Sequence, residues 1–274
     1  MNSTKPQPEN PFENYGGNAP ENYERYFVPV IGGPLAKELM EVAALKQGER
    51  VLDVACGTGI VARLAADFVG KTGKVVAVDM NAAMLNVAQN AAAGKSIVWR
   101  ESNAENLPFE NDSFDVVLSQ LGLQFFQNRA GAVSEMRRVL CSGGRVLVRT
   151  AGPTPELFTI FQEALAQHVS KELSAFVQKV FSFYDKEEIY QMFSTAGFQD
   201  ISIRQESKTV HLPEPQEFLW QYVSSTPLAG PLAQVDDATR SALQQELVTR
   251  WEPFVEKGRM HLNIPDVLTI AYKS

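Results

Sequence analysis

The chain is poor in the residues that build disulfide frameworks, metal sites and nucleic-acid interfaces. Its 274 residues include two cysteines, Cys56 and Cys141, and three histidines, His168, His211 and His261. Two cysteines make no disulfide framework, so reduced thiols in a cytosolic protein are expected, and no metal site. No apolar run approaches the roughly 18 residues that would span a bilayer. The opening stretch MNSTKPQPENPFENYGGNAP is polar and lacks the charged-then-apolar order of a signal peptide. There is no basic block, and the formal net charge is −7. A phosphate backbone must be met by Lys and Arg, so no nucleic-acid partner is expected. No internal repeat is visible. The apolar fraction, 45%, can fill the core of one large domain or of a domain with a cap.

One stretch organises the rest: VLDVACGTGI, residues 51–60. Val51 to Ala55 is a short β-branched run suited to a strand buried on both faces of a parallel sheet. Gly57-Thr58-Gly59 follows, then a helical pattern with Val61, Leu64, Ala65 and Phe68 on one face. Glycines suit a sharp turn that a ligand approaches closely. The helix start behind them offers free N–H groups. A second apolar run, Lys74 to Val78, ends in Asp79, about 20 residues beyond the glycines. That position suits a carboxylate that binds ribose hydroxyls. Two ligands fit so far, a nicotinamide or flavin nucleotide and S-adenosylmethionine. Asp53 separates them: a carboxylate before the glycines is a poor neighbour for a pyrophosphate and a good one for an ammonium group and a sulfonium.

DVACGTG followed by AVDM resembles the first two motifs of class I S-adenosylmethionine-dependent methyltransferases. ESNAENLPFENDSFDVVLSQLGLQFF and EMRRVLCSGGRVLV resemble the later motifs in the same order. The resemblance covers about residues 34 to 150. It is greatest to the small-molecule branch that includes ubiquinone and menaquinone C-methyltransferases. It implies a Rossmann-like α/β fold: a seven-stranded, mostly parallel sheet with helices on both faces, its last two strands antiparallel. It also implies that Asp53, Ala55, Gly57, Thr58 and Gly59 meet the methionine end of S-adenosylmethionine, Asp79 the ribose, and Met80 and Met84 the adenine. Ser102-Asn103-Ala104-Glu105 stands where the family has Gly-Asp-Ala-Glu. Asn103 therefore replaces the carboxylate that takes the adenine amino group, and it accepts through an uncharged oxygen. Gln120 ends the fourth strand beside the crossover point of the sheet. The LGLQFF that follows lacks the Asp/Asn-Pro-Pro-aromatic motif of nucleobase and glutamine methyltransferases. Gln124 stands near where many relatives carry a histidine, and it cannot act as a base.

Residues 1–33 are expected to form an N-terminal lid, its first twelve disordered. Phe12, Tyr15, Tyr23, Tyr26 and Phe27 supply its aromatics; Tyr15, Tyr23 or Tyr26 is expected to approach the cofactor, with Tyr15, beside Asn14 and Gly16, the favoured one. Residues 34–274 form the methyltransferase domain, with a helical cap from about 151–184 and 213–258. The segment 155–183 reads as helix throughout, the fifth strand as Arg145 to Arg149 and the last as Val267 to Tyr272. Phe158, Phe161, Phe181, Phe183, Trp220 and Tyr222 are expected around a small, apolar or aromatic methyl acceptor. His168, in the cap, is the best-placed histidine for a catalytic role. A non-catalytic module that holds S-adenosylmethionine without transferring its methyl group is the alternative.

Overall fold

Apolar, β-branched runs in the first half of the chain become the centre of one sheet. The computed structural model describes Tyr15 and residues 17–274. The expectations for Phe12, Asn14, Gly16 and the first twelve residues lie outside the described residues. Strands β1 (Arg50–Val54), β2 (Lys74–Asp79), β3 (Ile97–Glu101), β4 (Phe114–Gln120) and β5 (Leu140–Ala151) are parallel. They are followed by β6 (Gln199–Leu212), β7 (Val255–Glu256) and β8 (Arg259–Tyr272). The sheet order is β3-β2-β1-β4-β5-β8-β6, with β7 paired to β8, and β8 runs antiparallel to both β5 and β6.

Central strands read as continuous apolar runs because helices cover both faces. On one face α2 (Gly33–Ala43) and α3 (Ile60–Val69) pack Leu39, Met40, Val61 and Ala65 on Val51, Ala77 and Leu118. On the other, α5 (Arg129–Val139) and α8 (Lys186–Thr195) pack Val133, Met136, Ile189 and Phe193 on Leu52, Val54 and Val117. The faces alternate along β1, as strand geometry requires. Helix α4 (Ala82–Ala91) is capped by Asn81, whose side-chain oxygen accepts from the Met84 N–H.

The architecture is Rossmann-like and mostly parallel, but its C-terminal half is larger than expected. Strands β6 and β8 are both fourteen residues long and pair along most of that length. The sheet has eight strands because β7 and β8 form a short hairpin. Strand β8 pairs with β5 only from Tyr272 back to Asp266. The rest of β8 stands clear of β5 and buries Met260, Leu262 and Ile264 in a second apolar cluster. That cluster lies among α6 (Glu156–His168), α7 (Lys171–Val180), α9 (Pro215–Ser224), α10 (Ala229–Ala233) and α11 (Asp237–Trp251). Trp251 anchors it, fully buried, donating to the Leu157 carbonyl at 3.0 Å. The helix expected over 155–183 breaks at Val169 and Ser170. Ser170 is extended, and its hydroxyl caps α7 by accepting the Leu173 N–H. Among the described residues no helix is long and apolar enough to cross a membrane.

Before α2, the short helix α1 (Ala19–Asn22) leads into a ten-residue π-helix, Tyr23–Gly32, that contains Pro29. The Gly33 N–H closes it on the Val28 carbonyl. Such wide turns are rare and concentrate at functional sites.

Gly59, at the start of α3, has φ +81° and would set a Cβ 2.4 Å from the Trp99 ring. Gly94 has a similar φ, +83°, and open space around it. Gly59→Ala should therefore destabilise the protein by about 1 kcal/mol or more beyond Gly94→Ala, in chemical denaturation followed by circular dichroism. Equal losses would mean that Trp99 does not restrict the turn.

Candidate active site

Strand β1 continues outward to β2 and β3, while β4 continues the other way to β5. The sheet reverses its winding between β1 and β4, and open α/β sheets bind ligands at the carboxyl ends of such a pair. Both strand ends carry backbone strain. Ala55 (φ 58°) and Leu121 (φ 56°) are left-handed non-glycine residues. Each costs on the order of 1–3 kcal/mol, and strain of this kind clusters at functional sites. The two turns touch: a Cβ on Gly122 would lie 2.7 Å from the Ala55 Cβ.

Between these turns opens a cleft with about 1280 Å³ of empty space, counted out to its mouth. Asp53, Ala55, Gly57 and Thr58 line it from the β1 turn. Asp79, Met80 and Met84 line it from the end of β2 and from α4. Asn103, Ala104 and Glu105 follow β3, and Gln120 ends β4. The sequence-expected residues thus converge, with two exceptions: Gly59 stands behind the turn against Trp99, and Tyr15 does not line the cleft.

Among the described residues the lining contains Asp53, Asp79 and Glu105 and no Lys or Arg. Asp53 is 1% exposed, and its Oδ2 accepts the Ala62 N–H in the first turn of α3 at 3.0 Å. Burial, with the charge of nearby Asp79, pushes its carboxyl up to about 7, against the lowering effect of that hydrogen bond. Asp79 accepts from Gly57 N–H at 2.8 Å and from Asn81 N–H at 2.9 Å, and burial raises it above the usual carboxylate range. Gly57 (φ +53°) has nothing within 4 Å of where a Cβ would stand, so the cleft comes up to bare backbone. Thr58 Oγ1 and Gln120 Oε1 are buried without a hydrogen-bond partner. Asn103 Oδ1 accepts the Glu105 N–H at 2.9 Å, and Glu105 Oε1 accepts from the Gln127 and Asn128 N–H groups.

Tyr15 braces the N-terminal segment instead. Its ring is buried, its hydroxyl donates toward the Ser225 and Ala19 carbonyls at 2.6 and 2.7 Å, and its carbonyl accepts from Asn81 Nδ2. Tyr23 is the tyrosine of this segment that lines the cleft, stacked on Phe27 at 4.6 Å. The segment is tied down by Glu24–Arg63 at 2.7 Å and by Gln120 Nε2 donating to the Gly32 carbonyl. Sequence reasoning also left out Leu121, Phe125 and Phe126 as cleft residues. Their signal was the apolar LGLQFF run directly after the strand at the switch point.

A second cavity, about 690 Å³ and mostly apolar, shares Tyr23, Leu121 and Phe125 with the cleft. Of the aromatics expected there, Phe158, Phe181 and Tyr222 line it. Phe161 packs on Trp251, Phe183 lies under an Arg129 guanidinium at 4.4 Å, and Trp220 carries Arg240 at 4.1 Å. His168 lines neither cavity; its Nε2 lies 2.5 Å from Glu246 across α6 and α11.

Known proteins repeat this arrangement. The chain is 32% identical over 179 residues to the ubiquinone/menaquinone biosynthesis C-methyltransferase UbiE of Stutzerimonas stutzeri, covering 60% of this chain and 70% of that one. It is 33% identical over 182 residues to the demethylmenaquinone methyltransferase of Staphylococcus aureus, covering 61% and 75%. In fold it is similar to the YcgJ protein of Bacillus subtilis (TM-score 0.57, 19% identity, 87% of this chain and 97% of that one). It is also similar in fold to phosphoethanolamine N-methyltransferase 2 of Haemonchus contortus (TM-score 0.59, 22% identity, 93% and 56%). The ubiE/COQ5 methyltransferase family model matches residues 31–211, and with the glycine turn, the paired carboxylates and the switch-point cleft in place the chain belongs to that family.

Proposed function

We infer that the cleft holds S-adenosylmethionine with its methionine end at Asp53, Gly57 and Thr58, and that the methyl acceptor enters the adjoining apolar cavity. The single observation that carries this reading is the charge of the cleft: among its described residues, three carboxylates and no cation. A pyrophosphate would be repelled there. S-adenosylmethionine brings an ammonium, a sulfonium and one carboxylate, and the N-terminal turn of α3 suits the last. The family's activity, methyl transfer from S-adenosylmethionine, is this chain's activity.

The cofactor supplies a methyl group on a sulfonium that is already a good leaving group. The protein's own work is to hold the nucleophile about 3–3.5 Å from the methyl carbon, in line, and to keep water away. Asp79, lining the cleft at the end of β2, is placed to accept from the ribose hydroxyls. Met80 and Met84 give adenine a soft, polarisable surface, and Asn103 offers its edge an amide. Tyr23, on the wall common to both cavities, presents an aromatic face that attracts a sulfonium by about 0.5–2 kcal/mol. The helices around the second cavity act as its cap, and the docked segment 17–32 closes one side of the cleft. The apolar wall of Phe158, Phe176, Phe181 and Tyr222 supports an aromatic acceptor, in keeping with the quinone-directed names of the relatives. A holding module would have no use for this second cavity. The acidic surface and the LGLQFF sequence favour a small molecule over nucleic acid, and the reduced thiols favour the cytosol.

Asp79→Ala should weaken S-adenosylmethionine by about tenfold or more, since each charge-assisted hydrogen bond contributes about 1.5–3 kcal/mol. A change under about threefold in titration calorimetry, with circular dichroism unchanged, would count against the ribose assignment. A pH dependence follows from Asp53. Its carboxyl sits at about 7 in the free protein, and a bound ammonium favours the ionised form, so binding expels a proton below that pH. Affinity should rise as pH increases from about 5.5 to about 7, then fall above about 8, where the ligand's own α-amino group loses its charge. A flat profile below about pH 7 would remove Asp53 from the ammonium site.

A further inference from the structure

The second cavity holds more hydrogen-bond acceptors than its own residues satisfy. Asp266 lines it and is fully buried, yet neither carboxylate oxygen accepts a hydrogen bond within the protein. Gln124 lines the same cavity. Its Nε2 donates to the Leu121 carbonyl at 3.1 Å, which leaves Oε1 buried without a donor. Buried acceptors without donors are costly. An occupant that brings O–H groups relieves them; one that brings only carbonyl or ether oxygens does not.

Asp266 sits where carboxylates outnumber cations. It is the first residue of β8 to pair with β5, opposite Ala151, and the residues before it pair with β6. Arg149 from β5 faces it at 3.5 Å. Glu206 and Lys208 from β6 and Glu38 from α2 complete the charged surroundings, and Tyr23 and Tyr222 share its cavity. Glu38 pairs with both Lys208 and Arg149, and Glu206 lies 3.6 Å from Arg149. Three carboxylates therefore share two cations. Two would balance the cluster, and the surplus one is the group most removed from water. A buried carboxylate that lines a cavity with both oxygens unsatisfied points to work on a ligand.

We propose that Asp266 is the general base of the methyl transfer, taking the hydroxyl proton of a phenol- or hydroquinone-type acceptor whose ring lies against Phe158, Phe181 and Tyr222, with Gln124 Oε1 receiving a second donor. This rests on the second cavity being the acceptor site. In the step, the acceptor's O–H proton passes to the Asp266 carboxylate. The freed electron pair serves the hydroxyl oxygen, or a conjugated ring carbon that then loses its own proton while the oxygen regains one. That atom bonds to the methyl carbon, and the S–CH3 bond breaks with its pair returning to sulfur. The products are the methylated acceptor, the neutral thioether and one proton. Burial, opposed by the Arg149 charge, holds the Asp266 carboxyl at about 6, so near neutral pH it is mostly ionised and able to accept. Asp266 thus offers the basic group that Gln124 cannot.

The test titrates protein loaded with S-adenosylhomocysteine, anaerobically, with 1,4-naphthalenediol and with 1,4-dimethoxynaphthalene. The diol should bind at least about tenfold more tightly than its ether, and Asp266→Asn should reduce that preference below about threefold while leaving S-adenosylhomocysteine affinity unchanged. Diol turnover should rise through about pH 6 in the native protein and be lower and flat there in Asp266→Asn. The variant leaves two carboxylates facing two cations, so its melting temperature should be equal or higher. An undiminished preference in Asp266→Asn would overturn the proposal. Equal affinity for diol and ether in the native protein would overturn it without need of any variant, and would leave an aromatic acceptor standing. Failure of both probes to bind, with S-adenosylhomocysteine still bound, would overturn the assignment of the cavity as well.

Discussion

Negative charge held out of water at the ends of parallel strands is the constraint on which the site depends. Asp53 is buried and Asp79 half-buried, with backbone N–H groups as their partners and no cation among the described residues of the cleft wall. Burial leaves both less willing to ionise than in water, and the Asp79 charge raises Asp53 further. The fold accepts this because β1 and β2 are fixed by their neighbours on both sides and because the turn after β1 aims its amides back at the carboxylates. A cationic ligand removes the repulsion that the free protein carries. Affinity for S-adenosylmethionine and the strain of the empty site are two sides of one arrangement.

The second half of the chain turns that binding site into a transfer site. Strands β6 and β8 run past the end of β5, and their overhang gives the helical layer a floor on which to pack. The apolar chamber forms between this layer, the π-helical segment and the loop after β4. Tyr23, Leu121 and Phe125 belong to both chambers, so three side chains form the wall between them. The same overhang places Asp266 at the chamber wall. One hairpin extension therefore sets the shape of the acceptor site and its only fully buried carboxylate among the described residues of that wall.

The first half of this architecture was legible in the sequence because local rules govern it. Asp53, Gly57 and Asp79 sit at fixed offsets from strands that must be apolar throughout, so motif, strand and ligand chemistry agree. The second half was not, because its contacts are distant in sequence. Nothing near Tyr15 says that its hydroxyl will meet the Ser225 carbonyl, 210 residues away. Tyr23 and Tyr15 are equivalent as aromatics in a polar segment; only the fold separates them, since Tyr23 opens the π-helix and Tyr15 is held at the Ser225 carbonyl. Likewise Phe158 and Phe161 lie three residues apart on α6, and the placement of Trp251 decides which faces the chamber. The break at Ser170 was readable as an N-cap, but the apolar spacing of 155–183 runs through it. Asp266 lay just ahead of the stretch read as the last strand, Val267 to Tyr272, where a carboxylate carries no signal until β5 and β6 bring Arg149, Glu206 and Lys208 around it.

The most direct measurement of the whole arrangement is a crystal structure of the protein with S-adenosylhomocysteine. The amino-acid end should lie at Asp53 and Gly57, the ribose at Asp79, and the sulfur at the wall formed by Tyr23, Leu121 and Phe125, facing the second chamber. A cofactor seated elsewhere, or one whose sulfur points away from that chamber, would contradict a methyl transfer carried out between these two cavities.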